Sequence, residues 1–137
     1  MSEVEMRKVA LREAAAELEE FWSQHTVGEA NGNLFKVAKG IGSTNWHQHD
    51  DQDEVFVVLR GQITMQLRAG NVELNEGDLF IVPRGVEHCP QADSEVHLLL
   101  VGPEITSTPE GGKPDWSSTD QTSPTPPNSV VNIDRPI

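Results

Sequence analysis

The chain has no tyrosine and a single cysteine, Cys89, among its 137 residues. Without a phenol, no mechanism can run through a tyrosyl proton donor, a tyrosyl radical or a tyrosine-to-cysteine crosslink. With one thiol, neither an intrachain disulfide nor a CxxC redox pair can form, a pattern that fits a reducing cytoplasm. Basic residues are scarce as well: 10 Lys and Arg against 22 Asp and Glu leave a net charge of -12. Such a surface repels phosphate backbones and anionic headgroups over a Debye length, so neither nucleic acid nor membrane is expected as a partner. Long apolar runs are missing too. The N-terminal MSEVEMRKVALREAAAELEEFW lacks the apolar region of a secretory signal, and no stretch nears the length that spans a bilayer. The expectation is a soluble cytoplasmic protein, and a chain of this length buries roughly 70% of its unfolded surface as one domain.

Residues from Val9 to Trp22 are rich in Ala, Leu and Glu, with Leu11, Ala14, Ala15, Leu18 and Phe21 or Trp22 recurring at helical spacing. They predict a short amphipathic helix inside an N-terminal extension, residues 1–27. Past Val27 the texture changes to short apolar segments set apart by Gly32, Gly40, Gly42, Gly61, Gly70, Gly77 and Gly85. Turn residues at such intervals predict an antiparallel all-β domain. The expected strands are Leu34–Val37, Asn45–His49, Glu54–Leu59, Gln62–Arg68, Asn71–Leu74, Asp78–Val82 and Val96–Val101, with a hairpin turn at Arg68-Ala69-Gly70-Asn71. From residue 104 to 137 the composition turns to Pro, Ser, Thr, Gly and Asp, a tail that buries too little to order itself, although Val130–Ile133 is apolar enough to dock on a neighbour.

Chemistry concentrates in His47-x-His49-x4-Glu54, with His88 some thirty residues on. Residues two apart in a strand share a face, so His47 and His49 point together while Trp46 and Gln48 point away. Asp50 to Asp53 can form a turn, and Glu54 then begins the returning strand. A fourth ligand must come from elsewhere; His88 follows the turn at Pro83, Arg84 and Gly85 and opens a strand. Three imidazoles and a carboxylate suit one divalent first-row metal ion per chain. Each part taken alone has a plainer reading as solvated histidines and a polar aspartate turn.

These segments resemble the cupin superfamily. Its first motif is approximately Gly-x5-His-x-His-x3,4-Glu-x6-Gly, and the chain has His47-x-His49-x4-Glu54-x6-Gly61; its second, Gly-x5-Pro-x-Gly-x2-His-x3-Asn, is matched by Gly77-x5-Pro83-x-Gly85-x2-His88. Gly42 lies one residue closer to His47 than the pattern asks, and Ala92 replaces the final Asn; neither change touches a ligand. WHQHDDQDEVFVVLRG and GDLFIVPRGVEHCPQA, preceded by Phe21-Trp22, are similar to the small single-domain cupins described as mannose-6-phosphate isomerase-like. The resemblance implies a double-stranded β-helix, or jelly-roll, barrel over residues 28–103. It further implies metal at the barrel mouth and a homodimer.

Other residues have quieter readings. Cys89 follows His88 and should face away as a packed thiol; His97 falls on the polar face as a surface histidine, and His25 sits at the end of the N-terminal helix. Trp46 and Phe35 read as core or dimer-interface residues. Arg60 and Gln66 are candidates to touch an anionic substrate, and Asp50, Asp51 and Asp53 to draw cations to the mouth. No residue stands out as a separate general base.

Two functions follow. One is a small metalloenzyme, using iron, manganese, nickel or zinc, that acts on an oxygen-bearing small metabolite by oxygenase, isomerase, epimerase or lyase chemistry. The other is a non-catalytic module that binds a small ligand. The sequence leaves open whether the chain is an enzyme. A phosphosugar isomerase proper is disfavoured by the lack of a Lys or Arg cluster beside the ligands, and a DNA-bound regulator by the missing helix-turn-helix and the acidity.

Overall fold

The computed structural model describes residues 6–104. All of the expected tail but Glu104, with Val130–Ile133, lies outside the described residues. In chain order the elements are α1 (Leu11–Ala16), β1 (His25–Ala30), β2 (Asn33–Ser43), β3 (Glu54–Arg60), β4 (Ile63–Leu67), β5 (Gly70–Leu74), β6 (Leu79–Val82) and β7 (His88–Gly102). Every strand pairing is antiparallel. The result is an all-β jelly roll with one short helix.

The helix is shorter than its periodicity suggests. It ends at Ala16, and Phe21 and Trp22 leave the helical path to dock on β2. Trp22 takes a positive φ of 68°, donates its backbone N–H to Lys39 O at 2.6 Å and its indole Nε1–H to Ile41 O at 3.2 Å. A six-residue helix has little stability of its own, so burying the indole wins over continued helix propensity. His25 consequently lies in β1 and not at a helix end.

The long strand β7 organises the barrel. Its first residues, His88 to Gln91, pair with β4, and its last, His97 to Val101, pair with β3. On its other edge β2 runs along nearly its whole length. A strand serving two walls must bend, and β2 bends with it at a register shift between Gly40 and Gly42, where Gly42 takes a φ of 76°. Gly40 and Gly42 thus lie inside a strand, not at its end. A Cβ at Gly40 would stand 2.5 Å from the Trp22 ring, so this glycine makes room for the indole that plugs the barrel.

Register fixes the two faces. Lys36, Leu100, Phe56 and Phe80 form one cross-strand row, and Ala38, Leu98 and Val58 the next. Ala38, Phe56, Val58, Leu98 and Leu100 belong to the buried core with Ile63, Met65, Leu67 and Val82, so these rows face the interior. The opposite face of the same strands is apolar as well, with rows Phe35, Val101, Val55, Ile81 and Val37, Leu99, Val57, Leu79. Val37 is buried there, whereas Leu79 and Ile81 are 58% and 50% exposed.

Candidate metal centre

Past Ser43 the chain continues beside β7 without forming the strand expected over Asn45–His49. Thr44 N donates to Pro90 O, and His47 and His88 exchange backbone hydrogen bonds of 3.0 and 2.9 Å in one isolated bridge. His49 O accepts from Gly85 N at 2.8 Å, which ties this segment to the turn before His88. Glu54 opens β3, which pairs with β6 and the far half of β7. The three histidines therefore stand together where β7 begins, and the carboxylate reaches them from β3, not from the other arm of a hairpin.

One ligand atom from each of His47, His49, Glu54 and His88 lies within 4.8 Å of the others, a group that could hold one metal ion. The imidazole centroids are 5.1 Å apart for His47 and His49, 4.3 Å for His47 and His88, and 5.6 Å for His49 and His88. His88 and Glu54 are buried, while His47 and His49 keep part of their rings open. Phe56 adds an apolar edge to the His88 ring, 6.2 Å between centroids.

Hydrogen bonds select the tautomers. His47 Nδ1 is 2.7 Å from Asn45 O and His88 Nδ1 is 2.9 Å from Val86 O. A carbonyl only accepts, so both Nδ1 atoms carry the proton and both Nε2 atoms carry the lone pair when the rings are neutral. His88 Nε2 faces Glu54 Oε1 at 3.1 Å, and His49 Nε2 lies 3.3 Å from the same oxygen. In the His88 pair a neutral ring sets one lone pair against another across a buried gap, a contact that a cation between them relieves. Burial, reinforced by neighbouring His88, pushes the His47 pKa down to about 3, keeping its imidazole neutral. Burial pushes the Glu54 carboxyl up, but the close approach of the His49 and His88 rings outweighs it and holds the group below the usual carboxylate range. A neutral imidazole at His47 and an ionised carboxylate at Glu54 are protonation states that a divalent ion requires, so these residues fit a metal.

Further residues support the cluster. Asp53 accepts from Arg84 N at 2.9 Å and Nε at 3.3 Å, pinning the 50–53 loop to the turn that leads to His88; these bonds lower its pKa. Asp50 and Asp51 are exposed. Trp46 lies under the Arg68 guanidinium, 3.8 Å from ring centroid to Cζ, and Arg68 is paired with Glu87 at 3.2 Å. Cys89 is buried facing away, its thiol donating to Thr44 O at 2.9 Å. Neither proposed anion contact reaches the cluster by its position: Arg60 is exposed at the end of β3, and Gln66 lies opposite Cys89 and donates to Cys89 O. His97 is on the outer face but buried at 4% exposure, its Nε2 2.7 Å from Glu95 Oε2.

Sequence reasoning missed Lys36. It is 1% exposed and stands in the inward row beside Leu100 and Phe56; its Nζ donates to Glu104 O at 2.7 Å. Burial lowers its pKa and the Glu54 carboxylate opposes the shift. Next to the cluster is a cavity of about 20 Å³, lined by Trp22, Gln24, Ala38, Phe56 and Leu98 among others, room for about one water.

A jelly roll with three histidines and a glutamate at the head of its longest strand defines a class of metal-type β-barrel proteins. The model of the cupin domain matches residues 33–102, and the chain belongs to that family. A cupin-2 domain containing protein from Shewanella frigidimarina NCIMB 400 has a similar crystal structure, with a TM-score of 0.67 and 32% identity over 70% of this chain and 94% of that one. Uncharacterized protein YdbB of Bacillus subtilis is 29% identical over 54% of this chain and 66% of its own. A 3-hydroxyanthranilate 3,4-dioxygenase of Ruegeria pomeroyi is 32% identical over 52% of this chain and 42% of its own. The chain thus spans less than two thirds of the length of either curated relative. Among the described residues no helix is long and apolar enough to cross a membrane.

Proposed function

We propose that His47, His49, Glu54 and His88 hold one divalent metal ion and that the chain is a small metalloenzyme acting on an oxygen-bearing metabolite. The observation that carries this reading is the buried contact between His88 Nε2 and Glu54 Oε1, 3.1 Å apart with the His88 proton committed to Val86 O. A metal held by these four residues would supply Lewis-acid polarisation of a substrate oxygen or, if iron, dioxygen chemistry. Glu54 would offset part of the ionic charge. The carbonyls of Asn45 and Val86 hold the His47 and His88 rings in the ligating tautomer. The dioxygenase relative adds support for oxygenase chemistry over part of the chain.

A second reading, a binding module without turnover, is favoured by the cavity of about 20 Å³, which leaves little room for a reacting substrate. Either version includes a homodimer joined through the exposed Leu79 and Ile81 strip, and a monomeric mass in solution contradicts that part.

The test is elemental analysis of protein purified without chelator or affinity tag and with oxygen excluded, beside His49→Ala. One metal per wild-type chain, lost in a folded variant, is expected; equal metal in both sinks the ligand assignment. With iron present, substrate-dependent oxygen consumption separates the enzyme from the binding module.

A further inference from the structure

A cleft of about 350 Å³ opens where β2 begins and β7 ends, with Asn33, Gly102 and Pro103 among its walls. That volume falls in the range of small-molecule sites, about 300–1,000 Å³. Val55 and Val101, register partners in the outer row, give the cleft an apolar surface. Glu54 and Phe56, the neighbours of Val55, face the other way, so the sheet separates the cleft from the four metal-type residues. Leu79 and Ile81 do not line it.

Gln52 marks the cleft as a built site. It is 5% exposed and lines the cleft, yet its carboxamide makes no hydrogen bond among the described residues. Its Oε1 lies 2.7 Å from where a Cβ at Gly102 would stand, so glycine at the end of β7 is what admits the side chain. Buried amides are normally hydrogen-bonded, and one held without a protein partner in a cleft wall is completed by what enters. The side chains of Asn33 and Asp51 line the same cleft and likewise have no hydrogen bond or ion pair among the described residues. Asp53 differs, because its carboxylate accepts from Arg84 N and Nε and each charge offsets the other. One negative charge, on Asp51, is left over.

We propose that this cleft binds a small primary ammonium carrying an apolar chain. Its three N–H donors equal in number the three side chains that offer an oxygen, the Asp51 carboxylate and the carboxamides of Gln52 and Asn33. Its single positive charge balances Asp51, and its chain covers Val55, Val101 and Pro103. An anion would have to draw on Arg84, whose charge Asp53 already meets. The site is separate from the metal-type cluster and needs no ion.

The experiment is saturation-transfer NMR on the full chain as purified, at pH 7 and fixed ionic strength, titrated with n-butylamine, which is protonated there, and separately with n-butyrate. The variants are Asp51→Asn, Gln52→Ala and Asp93→Asn, the last removing the same charge from a residue outside the cleft. The expected result is saturable binding of n-butylamine, weakened about fivefold or more in Asp51→Asn and in Gln52→Ala and unchanged in Asp93→Asn, with n-butyrate bound about fivefold or more weakly. No saturable binding of n-butylamine to the wild type overturns the site. Equal losses in Asp51→Asn and Asp93→Asn, or none in Gln52→Ala, reduce the binding to general attraction by an acidic surface and overturn it too. Tighter binding of n-butyrate overturns the ligand class. If Gln52→Ala alters the far-ultraviolet circular dichroism, Gln52→Met, which keeps the volume, is read in its place by the same criteria.

Discussion

Replacing Lys36 by methionine should stabilise the metal-free protein, and the gain should fade as the solution becomes alkaline. The two side chains are close in volume, and Lys36 sits in a row with Leu100 and Phe56, where a thioether packs well. The loss is one hydrogen bond to Glu104 O, on an exposed residue whose carbonyl can turn to water. The gain is relief from holding an ammonium away from water. Exchanges of buried charged groups for apolar ones of similar size stabilise by about 1–4 kcal/mol, which raises Tm by roughly 3 °C per kcal/mol in a domain of this size. Burial lowers the Lys36 pKa from 10.5, against the opposing pull of Glu54, so the folded state gives up the proton at lower pH than the unfolded chain. The wild type therefore gains stability as pH rises through the window ending near 10.5, and above it the cost of the buried charge is gone. The advantage of Lys36→Met is accordingly largest at neutral pH and smallest near pH 10.5. The absence of tyrosine keeps phenols out of this titration, and the Cys89 thiol, pushed by burial up to about 11, is common to both proteins and cancels in the difference. Urea denaturation of both proteins in chelator at pH 7, 9 and 10.5 measures it. A variant no more stable at pH 7, or an advantage that holds constant to pH 10.5, would falsify the account of Lys36 as a buried ammonium.

Gly40→Ala places a methyl 2.5 Å from the rigid Trp22 indole and should cost about 1–3 kcal/mol in urea denaturation; a loss under about 0.5 kcal/mol would mean that the indole does not plug the barrel. With its pKa near 11, about one Cys89 thiol in a thousand is ionised at pH 8, so a disulfide reagent should label the native protein far more slowly than the urea-unfolded chain. Comparable rates would contradict the buried thiol. Free metal at about 100 times its Kd should raise stability by about 2.7 kcal/mol, and chelator should remove that increment. A Tm indifferent to both would mean that the four residues bind no ion in the folded state.

Much of the centre was readable because two spacings repeat a geometric requirement. A His-x-His pair puts two imidazoles on one side of an extended segment, and glycine and proline before His88 set the turn that delivers the third. His47 and His49 both reach the cluster although only His47 makes a bridge, to His88, and neither lies in a full strand. Lys36 was hidden by the parity argument. Leu34, Lys36 and Ala38 alternate with Phe35 and Val37, and the pair Phe35 and Val37 is the more apolar by composition, which turns Lys36 toward solvent. In the structure both faces of β2 are apolar, and the inward face is the one that carries the lysine. Parity also put His97 on the outer face, but a solvent-facing position does not follow from parity when that face is covered. The helix was over-extended because Leu18, Phe21 and Trp22 keep the helical period, while tertiary docking of Trp22 at φ 68° decides the path.

Glu54 acts on the buried Lys36 ammonium and is also one of the four residues proposed to hold the ion, and that double role couples the two. Without an ion, its carboxylate lies against His49 and His88 and also raises the proton affinity of Lys36. An ion on the four residues would draw on that same carboxylate, and Lys36 would lose its counter-charge just as the interior gained two more positive charges. The Lys36 ammonium and the ion would therefore each lower affinity for the other by the same factor, since coupling free energy is reciprocal. In Lys36→Met the ion would keep Glu54 to itself, so its affinity should rise, which metal titration of both proteins at neutral pH measures. A rise in metal affinity is what a charge shared through Glu54 requires; a lysine that merely props the barrel would leave it unchanged.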